Sequence, residues 1–270
     1  MALRARRSNQ GPGRPHPAPR PRGNPERWLY GRHAVAAALA NPARRWRRLI
    51  VMAAQEEEGE ALVASAQAIR REDGEPLRVV DRPGFAALLP EDAVHQGLAL
   101  EVEPLDPPDL DDVLRRAAMA ERAVLVVLDQ VSDPHNVGAI LRATAAFGAI
   151  GVIVATHGAP PATGALAKAA SGALELVPLI PVVNLARTLA LLKEVGFWCC
   201  GLDERAEQTL ADIDPGPRIA LVLGAEGDGL RRLVRESCDY LARLPTSPAM
   251  PSINVSTAAA IALYALRQRN

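Results

Sequence analysis

Val124–Asp129, VLVVLD, is a continuous apolar run closed by an acid, the pattern of a strand covered on both faces. Comparable runs recur downstream: IGVIVAT over 150–156, LELVPLI over 174–180, FWCCGLD over 197–203 and RIALVLG over 218–224. Helical stretches separate them. The clearest is NLARTLALLKEVG, with Asn184 placed to cap it and Gly196 to end it. Strands alternating with helices of this length predict a parallel sheet with helices on both faces, an α/β architecture, over 119–270.

Composition agrees with that class. The 270 residues are 49% hydrophobic but only 3% aromatic, so the core must be aliphatic, and it is large enough for one large or two modest domains. Cys199, Cys200 and Cys238 have neither a zinc spacing nor the pattern of a disulfide framework, so buried thiols and no metal site are expected. No apolar run reaches the roughly 18 residues of a membrane span. The N-terminus lacks the apolar core of a secretory signal. The expectation is a soluble, cytoplasmic protein.

Upstream of the strand series the chain divides again. Residues 1–25 read as a disordered basic tail rich in Pro and Arg, carrying Arg4, Arg6, Arg7, Arg14, Arg20 and Arg22. Setting those six aside leaves 25 basic against 31 acidic residues, so a mildly acidic body carries a cationic arm. Such an arm either adds salt-dependent attraction to phosphate backbones or serves as a solubilising tail. Residues 26–103 alternate helix and strand on a small scale: RHAVAAALA as a helix, RRLIVMAA as a strand, EALVASAQAIRRED as an amphipathic helix, then LRVVD and HQGLALEVE as strands. The cluster Arg44, Arg45, Trp46, Arg47, Arg48 has two readings: an RNA contact with Trp46 stacked on a base, or a solvated face with Trp46 packed inward. The acidic, proline-rich stretch from Pro104 predicts a linker over 104–118.

In open parallel sheets ligands bind beyond the carboxyl ends of the strands, which directs attention to three loops. In QVSDPHNVGAILRATAAFGA, Gln130–Ala149, Asn136 can cap a helix whose buried stripe is Val137, Ile140, Leu141 and Thr144. Arg142 lies about 150° from the centre of that stripe, with no carboxylate three or four residues away to pair with it. It is therefore a plain surface arginine or one free to meet a ligand; His135 reads as structural. In LVLGAEGDGL, Leu221–Leu230, Gly224, Gly227 and Gly229 permit close backbone approach around Glu226. The loop is neither a P-loop nor a dinucleotide fingerprint. In LPTSPAMPSINVSTAAAIALYA, Leu244–Ala265, Pro245, Pro248 and Pro251 forbid helix until Asn254 or Ser256 caps one. Ser252, Asn254, Ser256 and Thr257 are then caps alone or a polar site as well.

Taken together, DPHNVGAILRATAAFGA, SGALELVP, LVLGAEGDGL and PSINVSTAAA, in that order, resemble the SpoU family of RNA ribose 2′-O-methyltransferases, in its TrmH/RlmB-like branch. LYGRHAV and His95–Gly97 are similar to the start and end of that branch's substrate-binding domain, so the resemblance covers roughly residues 26–270. It implies a C-terminal methyltransferase domain with a trefoil knot, S-adenosylmethionine as cofactor, a homodimer and RNA as partner. It implies further that Gly224, Leu244 and Ile253 contact the cofactor and that Asn136, Arg142, Glu226, Ser252 and Asn254 line the reacting centre. The branch carries methionine and glycine in the proline loop where this chain has Thr246 and Pro248.

A guanidinium does not give up its proton in a protein, so the chemistry expected of Arg142 is to stabilise a developing 2′-alkoxide and clamp a phosphate, the proton leaving elsewhere. The substrate implied is a guanosine of 23S ribosomal RNA. The alternatives are a tRNA guanosine, or a non-catalytic RNA-binding assembly factor on the same fold.

Overall fold

The computed structural model describes residues 27–268 except residue 215; the basic tail assigned to 1–25 lies outside the described residues. The chain first builds a mixed sheet from β1 (Trp28–Tyr30), β2 (Arg45–Val51), β3 (Ile69–Arg70), β4 (Leu77–Val79) and β5 (Leu98–Val102), with α1 (Arg32–Ala40), α2 (Glu56–Ala64) and α3 (Arg82–Ala86). β5 lies between β1 and β2 and runs antiparallel to both, while β3 and β4 run parallel along the other side of β2. Alternation along these strands fills both faces. Leu29, Leu49, Val51 and Leu100 pack towards α1, and Trp28, Tyr30, Ile50 and Ala99 pack against Phe85 and Leu89.

The remainder comprises α4 (Leu110–Met119), β6 (Ala123–Asp129), α5 (Pro134–Phe147), β7 (Gly151–Ala155), α6 (Gly164–Ala170), β8 (Leu179–Val182), α7 (Leu185–Glu194), β9 (Trp198–Leu202), β10 (Arg218–Gly224), α8 (Arg232–Glu236), β11 (Tyr240–Ala242) and α9 (Val255–Arg267). The strands form a six-stranded sheet in the order β11-β9-β10-β6-β7-β8, parallel at every pairing. The period-2 geometry of β6 accounts for the double cover. Val126 and Leu128 join Ile140 and Leu141 of α5 and Ala262 and Leu263 of α9, whereas Leu125 and Val127 join Val113 of α4 and Leu189 and Leu192 of α7. Each such large apolar side chain contributes about 1.5–3 kcal/mol by leaving water. Strand order reverses between β6 and β10, where Asp129 and Gly224 stand in register at the carboxyl ends. That is the switch point at which ligands of open parallel sheets bind.

Several expectations need correction. Of the two readings of Trp46 the inward one holds and base stacking falls: it is 2% exposed, and its indole Nε1 donates to the Ala68 carbonyl. Around it Arg44 is buried on Glu175, Arg47 pairs with Glu103 and Arg48 with Glu101. Three of the four arginines are thus tied to carboxylates, Arg44 in the interior and Arg47 and Arg48 nearer the surface, while Arg45 is exposed. The helix expected from residue 60 stops at Ala64, because Ser65 caps it back onto Ala61 and the chain turns to join β2 as β3. The region read as a linker over 104–118 holds α4 from Leu110, whose Val113, Leu114 and Ala117 are buried under the sheet. LELVPLI is not a strand from 174: Ala173–Glu175 is a 3-10 turn, and Pro178 leads into β8. Asp133, not Asn136, caps α5, accepting from the His135 N–H at 3.0 Å with Pro134 in the first turn.

Candidate active site

Three loops converge at the switch point. After β6 the chain turns through Gln130, a non-glycine residue held at φ 59°, and enters α5, so Asn136 sits in the first turn of that helix. After β10 the loop closes on itself, with Ala225 N–H donating to Gly229 C=O at 3.2 Å and Gly229 N–H to Ala225 C=O at 3.0 Å. Gly227 and Gly229 take φ of 83° and 67°, a region open to glycine at no steric cost, and Glu226 stands at the tip. The far end of this loop is tied to β6: fully buried Asp129 accepts from the Arg231 N–H at 2.8 Å and Arg231 Nε at 2.7 Å. After β11 the three prolines hold the chain extended, and Thr246 Oγ1 donates to Pro251 C=O at 2.8 Å across the loop. Asn254 then caps α9, its Oδ1 accepting from the N–H groups of Ser256 and Thr257.

The side chains from these loops meet. Asn136 Nδ2 donates to Glu226 Oε1 at 3.1 Å; Asn254 Nδ2 donates to Asn136 Oδ1 at 2.9 Å and also to Glu226 Oε1. Because Oδ1 of Asn254 is already engaged by the helix N-terminus, its amide faces the cluster as donor. The cap and the site are one residue. Glu226 Oε2 has no partner among the described residues.

Beside the cluster lies a cavity of about 900 Å³, a size suited to a small-molecule ligand. Gly224, Glu226, Leu244, Ser252, Ile253 and Asn254 line it, so six of the eight residues singled out in the sequence border one space. Asn136 reaches it only through its contacts with Glu226 and Asn254. A Cβ at Gly224 would run into the backbone of Gly229 and Leu230. Arg142 stands apart, six residues along α5 from Asn136, exposed and without a hydrogen bond or ion pair among the described residues.

Sequence reasoning missed the cavity's charged wall. Asp203, immediately after β9, accepts from Arg235 Nε at 2.8 Å and from the Arg205 N–H at 2.9 Å. Burial would raise its carboxyl, but the Arg235 and Arg205 hydrogen bonds outweigh burial and hold it below the ordinary carboxylate value. The signal was there, since Asp203 closes FWCCGLD as Asp129 closes VLVVLD. Among the described residues no group of three or more His, Cys, Asp or Glu could hold a metal ion, and no helix is long and apolar enough to cross a membrane.

Comparison with known proteins places this arrangement. Residues 123–264 match the SpoU rRNA Methylase family and residues 28–108 match the RNA 2′-O ribose methyltransferase substrate-binding family. The 23S rRNA (guanosine-2′-O-)-methyltransferase RlmB of Vibrio cholerae is 39% identical over 245 residues, covering 89% of this chain and 96% of that protein. RlmB of Escherichia coli K12 is 37% identical over 243 residues, covering 90% of this chain and 98% of that protein. Among solved structures, the SpoU methyltransferase AviRb of Streptomyces viridochromogenes, in complex with AdoMet, superposes with a TM-score of 0.74 at 24% identity, covering 90% of this chain and 89% of its own. With both modules matched in order and relatives spanning most of its length, the chain belongs to the SpoU rRNA methylase family, with the family's substrate-binding module at its front.

Proposed function

We propose that this protein transfers the methyl group of S-adenosylmethionine to the ribose 2′-hydroxyl of a guanosine in 23S ribosomal RNA. The observation that carries the reading is the closure of Asn136, Glu226 and Asn254 into one hydrogen-bonded cluster at the edge of a cofactor-sized cavity. Relatives named for that activity, matched over nearly their whole length, support that substrate.

The residues present fit the cofactor. The cavity admits a ligand of its size, Gly224 lets the loop of Gly229 and Leu230 close tightly at the cavity wall, and Leu244 and Ile253 add apolar wall. When bound, S-adenosylmethionine supplies a methyl group carried on a sulfonium. The chain's own residues orient the acceptor. Ser252, exposed on the cavity with no partner of its own among the described residues, offers a free hydroxyl, and the Asn136–Asn254 pair fixes the cluster that faces the ribose. Arg142 stabilises negative charge developing on the 2′-oxygen and clamps a neighbouring phosphate, an effect worth about 3–4 kcal/mol in preorganised sites. The unpartnered Oε2 of Glu226 is available to accept the hydroxyl proton, which the guanidinium cannot.

The same reading divides the chain into a tail, 1–25, a substrate-binding domain, 26–103, a connection, 104–118, and a methyltransferase domain, 119–270. It makes the Leu244–Asn254 segment part of a trefoil knot and the protein a cytoplasmic homodimer. Exposed Ile261 and Tyr264 on α9, the latter in edge contact with Phe147 of α5, support a second copy covering this face. The front module favours ribosomal RNA over tRNA, and the intact cluster disfavours a non-catalytic assembly factor.

The test is transfer from labelled S-adenosylmethionine to total RNA from cells lacking the gene, with the product mapped by resistance to alkaline cleavage. A single 2′-O-methylguanosine in 23S RNA is expected. Label in tRNA, or tight RNA binding without transfer, would replace the proposal with one of its two alternatives.

A further inference from the structure

Arg44, buried and out of reach of RNA, has another role. Arg44 and Glu175 lie 131 residues apart, on opposite sides of the boundary between the two modules, and their side chains are 3% and 4% exposed. Arg44 Nε donates to Glu175 Oε2 at 3.1 Å and Nη2 donates to Oε1, a fork-to-fork geometry. Asn41 Nδ2 adds a 2.8 Å bond to Oε2, and Arg44 Nη1 satisfies the Glu103 carbonyl at 3.0 Å. A second latch joins the modules at α6. Lys168 Nζ and the Arg32 N–H both donate to Gln96 Oε1, and Gln96 is held at φ 53°, an unusual conformation for glutamine. Between the latches the surfaces touch without room for a methyl group: a Cβ at Gly164 would strike Tyr30 and the Trp28 carbonyl, and one at Gly172 would meet Ala37.

The helix so gripped, α6, packs against α5, which carries Asn136 and Arg142. A Cβ at Gly138 of α5 would collide with Ala169 and the backbone of Ala170 of α6, so the two helices meet backbone to backbone. Gly138 lies two residues after Asn136, and Arg142 follows four residues later on the same side of α5. The apolar core is also continuous, with Leu49 and Leu98 of the front module in one cluster with Val137 and Leu166.

We propose that Arg44–Glu175 and Lys168–Gln96 form an interdomain clamp that registers RNA held by the front module against Asn136 and Arg142, through α6 and α5. Arg44, Glu175, Lys168 and Gln96 are positioning residues. The proposal rests on the methyl-transfer reading and assigns it a fixed, not hinged, substrate domain.

The test uses the full chain and 23S RNA from cells lacking the gene. Glu175→Gln removes the countercharge of a buried guanidinium. Gln96→Gly removes the other acceptor at an exposed position whose backbone suits glycine, and it decides the matter if Glu175→Gln does not fold. The expected result is RNA and S-adenosylmethionine dissociation constants within twofold of the parent, with single-turnover transfer at saturating RNA at least tenfold slower. Parental rates in folded variants overturn the clamp. Affinity for either ligand falling in step with the rate also overturns it, since the contacts then only maintain the fold. A parent protein that transfers no methyl to this RNA sinks the substrate reading instead.

Discussion

Asn254 Nδ2 sits 2.9 Å from Asn136 Oδ1, joining the cap of α9 to the first turn of α5 across 118 residues of sequence. Asn254 does two separable things: its oxygen caps α9 and its amide holds Asn136 and Glu226. Asn254→Asp keeps the cap acceptor, deletes the donor and sets a second carboxylate against Glu226. Asn254→Ala loses both functions, at about 1 kcal/mol for the cap. Both variants are expected to lose ~10²-fold in single-turnover rate, because misplacement of reacting groups alone costs that much. Thermal melting should separate them, with Asp near the parent and Ala below it. A parental rate for Asn254→Asp would show that the cluster has no part in transfer.

Arg142 is exposed and makes no internal bond among the described residues, so its removal should leave the fold alone, within about 0.5 kcal/mol. It also does not border the cavity. Arg142→Ala is therefore expected to bind S-adenosylmethionine like the parent while transferring ~10²- to 10³-fold more slowly. Arg142→Lys should recover little of the rate, since a point charge lacks the fork that grips a phosphate. Isothermal titration with single-turnover kinetics checks both halves. A lysine variant at parental rate removes the clamp role from Arg142.

What the sequence made legible was local. VLVVLD and RIALVLG announce buried strands because every residue of such a strand is covered, and the polar residues just beyond their ends could be picked out one loop at a time. That Asn136, Glu226 and Asn254 touch could not, since the contact depends on a strand order that reverses between β6 and β10. The resemblance supplied the grouping, and the geometry gives it a physical form. Arg44 was misleading for a related reason: an arginine reads as solvated unless its carboxylate is known, and Glu175 lies in another module. β11, three residues long, has no run to announce it and exists because β9 offers it an edge.

Gly224 and Gly227 occupy one loop and make opposite predictions. At Gly224 a methyl group must displace the backbone of Gly229 and Leu230, opening the turn that presents Glu226. Overpacking of this kind costs about 1–3 kcal/mol, roughly ten- to a hundredfold if it falls on cofactor affinity. At Gly227 a methyl group meets open space, and only the left-handed conformation, φ 83°, costs about 1 kcal/mol. Titration with S-adenosylmethionine should rank Gly224→Ala well below Gly227→Ala. The reverse order would mean that the cofactor does not approach the end of β10.

Cys199 and Cys238 are pushed up to about 12 from an ordinary 9.0, by burial first in both, then by Asp239 for Cys199 and by Cys200 for Cys238. A folded value above the unfolded one means that the neutral thiol is favoured by folding. The contribution is whole below pH 9.0 and is lost as the pH rises towards about 12. At pH 8 both thiols are therefore protonated and shielded, so iodoacetamide should label neither until urea unfolds the chain. Between pH 9 and 12 the melting temperature should fall, and Cys238→Ala should show a shallower fall because one of the two groups driving it is gone. Rapid native alkylation of Cys238, which lies in the α8–β11 connection, would mean that this edge of the sheet opens readily; an unchanged alkaline slope in Cys238→Ala would mean that its thiol is not linked to folding.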